Sequence, residues 1–209
     1  MYFSKKFNEF IQLKHCFFSK NGGVSKDNYS SLNCGLGSSD DKKNILNNLS
    51  IVSKKMKVNE NNLFTMNQTH SNKVVVVDKN NQDIKRIQAD ALITNIKNIA
   101  ISVLTADCVP ILIYEKTNHV VACIHAGWKG AVNGIIENTF NQIIDMNKDN
   151  SFYVTIGPCI GLKSYEVDKE FYNKFIRESK MNEKFFFPSK DNKFFFDLRK
   201  YVNFKITKF

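Results

Sequence analysis

The sequence predicts an α+β fold, a single-domain layered α/β sandwich in which mixed β-sheets are flanked by helices. Short apolar runs typical of buried strands are interspersed with amphipathic stretches typical of helices. Several predicted strands follow one another with no helix between them, which disfavours a doubly wound parallel sheet. The 209 residues include 18 Phe and 7 Tyr, enough apolar surface for a core that needs no disulfides.

The N-terminal part is predicted to contain one short strand, two loops and one helix. The strand covers residues 14–18. Residues 21–25 form a turn and residues 28–38 a loop, because glycine tolerates the positive φ angles that such segments need. A helix over residues 39–55 follows, with Ser, Asp and Asp at its start as candidate caps. Its apolar residues recur at helical spacing at Ile45, Leu49, Val52 and Met56.

The middle of the chain is predicted to form the main sheet and its principal helix. Residues 73–77 and 99–104 are apolar runs that we interpret as strands. Residues 111–114 and 120–124 are two more, and they suit a buried position. A helix over residues 130–146 then packs an apolar face on the sheet. That face consists of Ile135, Ile136, Thr139, Phe140, Ile143 and Ile144.

The C-terminal part is predicted to add a strand, a helix, a hairpin and a final helix. Residues 152–156 form the strand, and residues 168–179 form the helix. Two Phe-Phe-Phe runs, at 185–187 and 194–196, are expected to pair as a hairpin. A short helix begins at Asp197.

Composition restricts the function classes. The net charge is +10, but only three of the 30 basic residues are Arg, the residue that base and phosphate readers favour. We therefore expect a solvated lysine-rich surface and no nucleic-acid partner. No apolar window of membrane-spanning length exists, and the N-terminus lacks a signal-peptide run. Five cysteines suit reduced thiols. The sequence predicts a cytoplasmic protein with one domain over residues 1–209, because no repeat or linker divides it.

Three segments combine metal-competent side chains with predicted strand ends. They are NQTHS at 67–71, TADCVP at 105–110 and HAGWKG at 125–130. Residues at the ends of separate strands often meet in one cleft. The sequence therefore predicts a functional site built from these segments.

One hypothesis is a catalytic zinc site formed by His70, Cys108 and His125. Imidazole and thiolate both suit Zn²⁺, and three protein ligands leave a fourth position open. The spacings match no short metal motif, so the three residues could equally be a loop cap, a small buried hydrophobe and a structural histidine. Four histidines are too few for a multi-copper oxidase.

The same segments allow other interpretations. Cys108 could be a nucleophile with His125 as its base, as in a metal-free cysteine hydrolase or deamidase. Gly127, Gly130 and Lys129 precede a predicted helix and could hold an anion such as phosphate. Trp128 could stack on an aromatic ligand or fill the core.

Taken together, these motifs resemble the YfiH family, also called the laccase-domain or polyphenol oxidase-like family. The resemblance runs from HCFFSKNGGVS at 15–25 through QTH, ADAL, TADCVP and HAGWKG to GPCI at 157–160. It implies a layered α/β sandwich and a purine nucleoside phosphorylase. Such an enzyme cleaves adenosine, inosine, guanosine or methylthioadenosine with inorganic phosphate, and adenosine deamination can accompany that activity.

The resemblance also implies residue roles. His70, Cys108 and His125 would bind one Zn²⁺ per chain, and Asp107 would support the ligands or act as an acid–base group. Matched to the family motifs, Lys20 and Asn33 would line the cleft. We expect Gly127, Trp128 and Lys129 to contact phosphate or nucleoside.

The chain departs from the family in two ways. Lys20 and Lys129 stand where Arg is common, and members commonly continue into an Arg-rich tail beyond the point where this chain ends. Either the domain lacks this tail or the chain is truncated. A third hypothesis follows, a non-catalytic accessory protein with an intact metal site.

Overall fold

In the computed structural model, residues 1–78, 86–146 and 149–209 are described. Within these ranges the chain forms short strands, five α-helices and several 3₁₀ turns. The strands are β1 (Leu63–Asn67), β2 (Val74–Val76), β3 (Arg86–Gln88), β4 (Ala91–Thr94), β5 (Ala100–Ile101), β6 (Val109–Glu115), β7 (Val120–Ala126), β8 (Phe152–Ile156), β9 (Glu166–Val167), β10 (Phe186–Pro188) and β11 (Phe194–Phe196). The helices are α1 (Lys42–Met56), α2 (Trp128–Val132), α3 (Ile135–Met146), α4 (Lys169–Glu178) and α5 (Leu198–Ile206).

A five-stranded mixed sheet forms the centre of the molecule. Its strand order is β2-β4-β7-β6-β8. The β2–β4 pair is parallel, and the other pairs are antiparallel. Consecutive strands β6 and β7 form a hairpin without a helix between them, as the sequence predicted. The α+β class is therefore confirmed.

The central sheet is buried on both faces, so its strands are apolar at nearly every position. Ile111, Ile113 and Ile124 face a core that α3 and α5 cover. Leu112 and Cys123 face the opposite way, toward Phe64 of β1 and its neighbours. This second layer is a small sheet of order β3-β1-β5. Alternate residues of one strand thus serve two different cores.

An aromatic cluster surrounds the C-terminal hairpin. Strands β10 and β11 pair antiparallel, with Phe186 opposite Phe196, which confirms the predicted hairpin. Rings from α4 and α5 pack on it, and they include Phe175 and Tyr201. The cluster explains why so many of the 18 Phe residues lie late in the chain, because packed aromatic pairs stabilise a small sheet that has little hydrogen bonding of its own.

Three predictions from the sequence were wrong, either in the length of an element or in its type. Residues 14–18 form no strand, and only Phe17 makes an isolated bridge, with Tyr2. The run at 99–104 contributes only the two-residue β5, which pairs in parallel with Leu63 and Phe64 of β1. The helix predicted over 130–146 is two helices, since Gly134 takes a φ of +90° and ends the first.

Other predictions hold. Helix α1 is capped by the Asp41 side chain, which accepts a hydrogen bond from the Lys43 amide. The predicted strands near 73–77, 111–114, 120–124 and 152–156 are present as β2, β6, β7 and β8. None of the helices in the described ranges has the length and apolar character that crossing a bilayer requires. One domain over residues 1–209 stays a prediction.

Glu115, at the end of β6, is a fully buried carboxylate that joins β6 to the start of β8. Its oxygens accept hydrogen bonds from the amides of Thr117, Asn118 and Ser151. Burial alone would raise the pKa of Glu115, but these bonds outweigh it and hold the pKa below its ordinary value of 4.5. The ionised form therefore stabilises the fold above the ordinary pKa, and that contribution is lost as the pH falls through the lowered pKa.

We expect Glu115→Gln to lower the free energy of unfolding by about 1–3 kcal/mol, because an amide NH₂ would face backbone donors. Urea denaturation at pH 7 measures this. Glu170→Gln is the control, since Glu170 only pairs with Lys174 on the exposed face of α4. The difference between wild type and Glu115→Gln should shrink when the measurement is repeated at progressively lower pH below 4.5. Equal effects of the two substitutions would contradict this role.

Candidate metal centre

The structure brings His70, Cys108 and His125 together. Their candidate ligand atoms all lie within 4.8 Å of one another. The Cys108 Sγ is 3.7 Å from His70 Nε2, and the two imidazole rings are 4.8 Å apart in an edge-to-face arrangement. Among the residues that the structure describes, this is the one group of three or more His, Cys, Asp or Glu side chains that could hold a metal ion.

Strand pairing explains why these distant residues meet. In the β6–β7 hairpin, Val109 lies opposite Ala126, so Cys108 before β6 and His125 at the end of β7 are neighbours. Beyond β1, the Gln68 side chain donates to the Leu104 carbonyl and accepts from the Leu104 amide, at 2.8 Å each. Gln68 thereby ties the segment that carries His70 to the segment that carries Cys108.

Asp90, directly before β4, holds two of the three ligand-bearing segments. Its carboxylate is fully buried. It accepts hydrogen bonds from the amides of Thr69, His70 and Ser71 and from the Ser71 hydroxyl. It also accepts one from His125 Nδ1 at 2.8 Å. These bonds stabilise the left-handed backbone of His70, whose φ is +58°.

Asp90 also sets the protonation of the site. Burial alone would raise the pKa of Asp90, but the hydrogen bonds from His125 and Ser71 lower it well below its usual range. Burial likewise would lower the pKa of His125, but the hydrogen bonds with Asp90 and Cys108 raise it to about 9. Because the ionised Asp90 accepts from Nδ1, Nε2 is the His125 nitrogen that can bind a metal ion, and it must first lose its proton to do so.

His70 has the opposite electrostatic environment. Burial lowers its pKa, and the positive charges of His125 and Lys129 lower it further, although Asp90 partly opposes them. A neutral imidazole is the form that binds a metal. His70 is exposed to solvent, whereas His125 is buried. The group therefore has one open side toward solvent.

Gly127 makes the close approach of the ligands possible. A Cβ at this position would lie 2.6 Å from His70 Cδ2 and 3.0 Å from Cys108 Sγ. Such contacts are far below van der Waals distance, so only glycine fits here. Gly130 has a related constraint, since its Cβ would lie 2.9 Å from the Ser71 carbonyl oxygen.

The donor set fits a borderline-soft divalent ion such as Zn²⁺. Two imidazoles and one thiolate are typical zinc ligands, and a carboxylate behind a ligating histidine is a recurrent supporting contact. Three ligands with one open side correspond to the catalytic type of zinc site, whereas structural sites have four protein ligands.

The other predicted site residues lie at different places. Lys129 is exposed, close enough to His70 to lower its pKa, and its Nζ is 5.6 Å from the Trp128 ring centre. The Trp128 ring packs on Phe171 and Phe175, so much of it belongs to the core. Asp107 is exposed, and its carbonyl accepts from the Ile160 amide. The carboxylate that orients His125 is Asp90 rather than Asp107.

Lys20 and Asn33 belong to a separate N-terminal loop. The Lys20 carbonyl accepts from the amides of Ser31 and Leu32, and the Asn33 amide group donates to Ser38 and Asp40. These polar contacts all lie inside the loop. The loop approaches the site through Gly35, which packs near the Leu104 side chain.

The sequence analysis assigned no role to Asp90 or Tyr165. Asp90 has a signal, because it is the one charged residue within the apolar run from Ile87 to Ile93, and a buried carboxylate needs partners. Tyr165 has none. Burial, with Cys108 and Asp107 acting in the same direction, raises the pKa of Tyr165 to about 12, and the ring packs on Phe171 and Phe196.

Comparison with known proteins identifies relatives of this architecture. The family model described as multi-copper polyphenol oxidoreductase laccase matches residues 14–209. A purine nucleoside phosphorylase of Rickettsia conorii is 36% identical over 170 residues, which cover 79% of this chain and 70% of the relative. One of Bacteroides thetaiotaomicron is 31% identical over 180 residues, covering 80% and 66%. The match thus spans about two thirds of these relatives' own length.

Solved structures share the fold. The hypothetical protein YfiH of Bacillus licheniformis superposes with a TM-score of 0.84 at 27% identity, covering 90% of this chain and 74% of that one. A Neisseria meningitidis protein superposes with a TM-score of 0.79 at 27% identity, covering 90% and 75%. The layered arrangement predicted from the sequence is therefore also that of these proteins.

We expect Asp90→Asn to weaken zinc affinity by roughly 10–100-fold, because the His125 ring loses its charged partner. Competition with a chromogenic chelator measures the affinity. Asp107→Asn is the matched control, an Asp-to-Asn change beside Cys108 that removes no contact with His125. A larger loss for Asp107→Asn than for Asp90→Asn would refute the assigned role of Asp90.

We expect Gly127→Ala to abolish stoichiometric zinc binding, because its methyl group would occupy space between His70 and Cys108. Metal analysis after dialysis against zinc gives the stoichiometry. Gly161→Ala is the control, since a Cβ there has no neighbour within 4 Å and its φ is −81°. Full zinc content in Gly127→Ala would show that the three side chains do not share one ion.

Proposed function

This chain belongs to the multi-copper polyphenol oxidoreductase laccase family, and we propose that it is a zinc-dependent purine nucleoside phosphorylase. Its substrates would be a purine nucleoside, such as adenosine, inosine, guanosine or methylthioadenosine, and inorganic phosphate. One observation carries the proposal, namely the convergence of His70, Cys108 and His125 within a fold whose curated relatives bear that name. A single cytoplasmic domain is part of the proposal.

The donor set supports zinc over the several copper ions in the family's description. The other two histidines serve different purposes. His15 accepts from the Ser4 amide between the rings of Phe3 and Phe7, and His119 contacts the Tyr114 hydroxyl. Two imidazoles and one thiolate suffice to bind one zinc ion, whereas a multi-copper centre needs many imidazole ligands.

Phosphorolysis forms a bond between a phosphate oxygen and C1′ of the ribose and breaks the bond from C1′ to the purine nitrogen. The electron pair of the broken bond goes to the purine, which takes up a proton. A zinc ion supplies a fixed positive charge that stabilises an anionic oxygen. We propose adenosine deamination as an accompanying activity, in which a water oxygen bonds to the purine carbon that bears the amino group, the C–N bond breaks and ammonia leaves.

Residues around the ligands supply binding and proton transfer in this proposal. Lys129, whose positive charge acts on His70, would attract phosphate together with Gly127 and Trp128. Lys20 and Asn33 would complete the cleft from the N-terminal loop. Asp107 would act as the acid–base group that transfers a proton to the leaving purine.

A second candidate is a metal-free cysteine hydrolase. Asp90 hydrogen-bonds His125, and the His125 and Cys108 side chains are neighbours, which is the order of groups in a cysteine nucleophile with its base and orienting carboxylate. The close contact of His70 with the same sulfur favours the metal site, because a nucleophile needs only one base. A non-catalytic accessory role would keep the zinc without turnover.

We expect the purified protein to contain about one zinc ion and to release free purine from adenosine or inosine only when phosphate is present. Chromatographic assay of the base and ribose 1-phosphate measures this. Cys108→Ala should lose zinc and at least 100-fold of the activity, because it removes a ligand. Cys16→Ala is the matched control, since Cys16 lies beside the N-terminal bridge away from the ligands.

The alternatives give different results in the same assay. If the protein still converts its substrate after the metal has been chelated, but loses that activity when Cys108 is alkylated, the metal-free hydrolase is established and the phosphorylase is excluded. Bound zinc with no turnover on any purine nucleoside would support the accessory role.

A further inference from the structure

Leu104 is an apolar side chain that the fold leaves exposed close to the metal ligands. It lies four residues before Cys108 and is 49% exposed, whereas its neighbour Val103 packs inward, against the core on the β1 side of the central sheet. The Gln68 side chain bonds both the amide and the carbonyl of Leu104, at 2.8 Å each. These two bonds fix the main chain of Leu104, so the exposed side chain has a defined position beside the ligand-bearing segments.

A turn of the N-terminal loop approaches Leu104 closely, because a Cβ at Gly35 would lie 3.2 Å from Leu104 Cδ2. Hydrogen bonds hold this turn in place. The Gly35 amide donates to Asn33 Oδ1, and the Gly35 carbonyl accepts from the amide and the hydroxyl of Ser38. The two hydrogens of the Asn33 amide group go to Ser38 and Asp40. Asn33 thus shapes the turn, and the turn and Leu104 together offer a ligand an uncharged surface.

Lys129 approaches the same ligands from the opposite face of the central sheet. Gly127, which lies against His70 and Cys108, leads directly into α2, and α2 carries the exposed Lys129. The Trp128 ring packs against the core that α3 and α5 cover. That core and the one on the β1 side lie on different faces of the sheet. The metal ligands are therefore flanked by an exposed ammonium group on one face and an exposed leucine on the other.

These two flanks match the two ends of the proposed pair of substrates. Phosphate is an anion, which a nearby ammonium group attracts. A purine ring is flat and uncharged, and it gains free energy when its faces leave water for an apolar surface.

We propose that Leu104, together with the turn at Gly35, is the surface on which the purine ring of the nucleoside packs, while phosphate binds from the Lys129 side. This inference rests on the proposed phosphorylase function and assigns the two substrates to the two faces of that site. The reverse placement is unfavourable, because phosphate would exchange water for an aliphatic side chain that offers no hydrogen bond.

Kinetics of variants at Leu104 test the assignment. We expect Leu104→Ala to raise the KM for adenosine and the KM for inosine by about tenfold each, because an aliphatic contact does not distinguish an amino group from an oxo group. The KM for phosphate should change by less than about twofold. Leu104→Phe restores a large apolar surface and should keep the wild-type values. Leu46→Ala is the matched control, since it also removes an exposed leucine, 59% exposed, but from α1.

Equilibrium binding of adenosine without phosphate gives a readout that needs no turnover. Calorimetry should show that Leu104→Ala weakens adenosine binding by about tenfold, whereas Leu46→Ala leaves it unchanged. Lys129→Ala should give the opposite pattern, with a higher KM for phosphate and the wild-type affinity for adenosine. Damage to the fold alone would weaken both substrates together, so the opposed patterns identify direct contacts.

The possible results separate this inference from the proposed function. Phosphorolysis with the same KM for adenosine in wild type and Leu104→Ala would overturn the role of Leu104 and leave the phosphorylase intact. Adenosine binding that depends on Leu104, without phosphate-dependent release of the base, would support the base site and refute the phosphorylase. Absence of adenosine binding at millimolar concentration, or an equal loss of phosphate affinity in Leu104→Ala, would overturn the base site.

Discussion

The buried carboxylate of Asp90 is the interaction on which the candidate site depends. An isolated ionised group in the interior is costly, and it is tolerated only when hydrogen bonds satisfy it. Here the partners are the amides of residues 69–71, the Ser71 hydroxyl and the His125 ring. Satisfying this one charge therefore fixes the backbone before β2 and the orientation of the ring at the end of β7. The ligand geometry follows from that requirement.

The central sheet makes this arrangement rigid. Asp90 leads directly into β4, which pairs with β7, and the amide of His125 donates to the Asp90 carbonyl. Both partners of the His125–Asp90 bond thus belong to neighbouring buried strands. Gly127 follows at the point where the chain leaves β7, and it leaves room for His70 and Cys108. Site and fold are consequently coupled, since moving the ligands would require breaking the sheet.

The same sheet has two exposed regions. At one end of its strands the loops converge on the metal ligands, and along its outer strand β8 the main chain is open between α5 and the N-terminal segment. Gly157 and Pro158 connect the two regions, since they end β8 just before Ile160 bonds the Asp107 carbonyl. The end of β8 is therefore linked to the segment that carries Cys108.

The sequence by itself determined the elements whose signals are local. Apolar runs predicted β6, β7 and β8, the run Ser39-Asp40-Asp41 predicted the start of α1, and the two Phe runs predicted the β10–β11 hairpin. Residue type restricted the candidate metal ligands to a small set that contained His70, Cys108 and His125, and the family resemblance selected them. Only the tertiary structure decided that Asp90 orients His125, that Gly134 divides the long helix, and that residues 14–18 remain outside a sheet. These depend on which strands are neighbours and on how burial is satisfied, and neither is encoded in the spacing of residues along the chain.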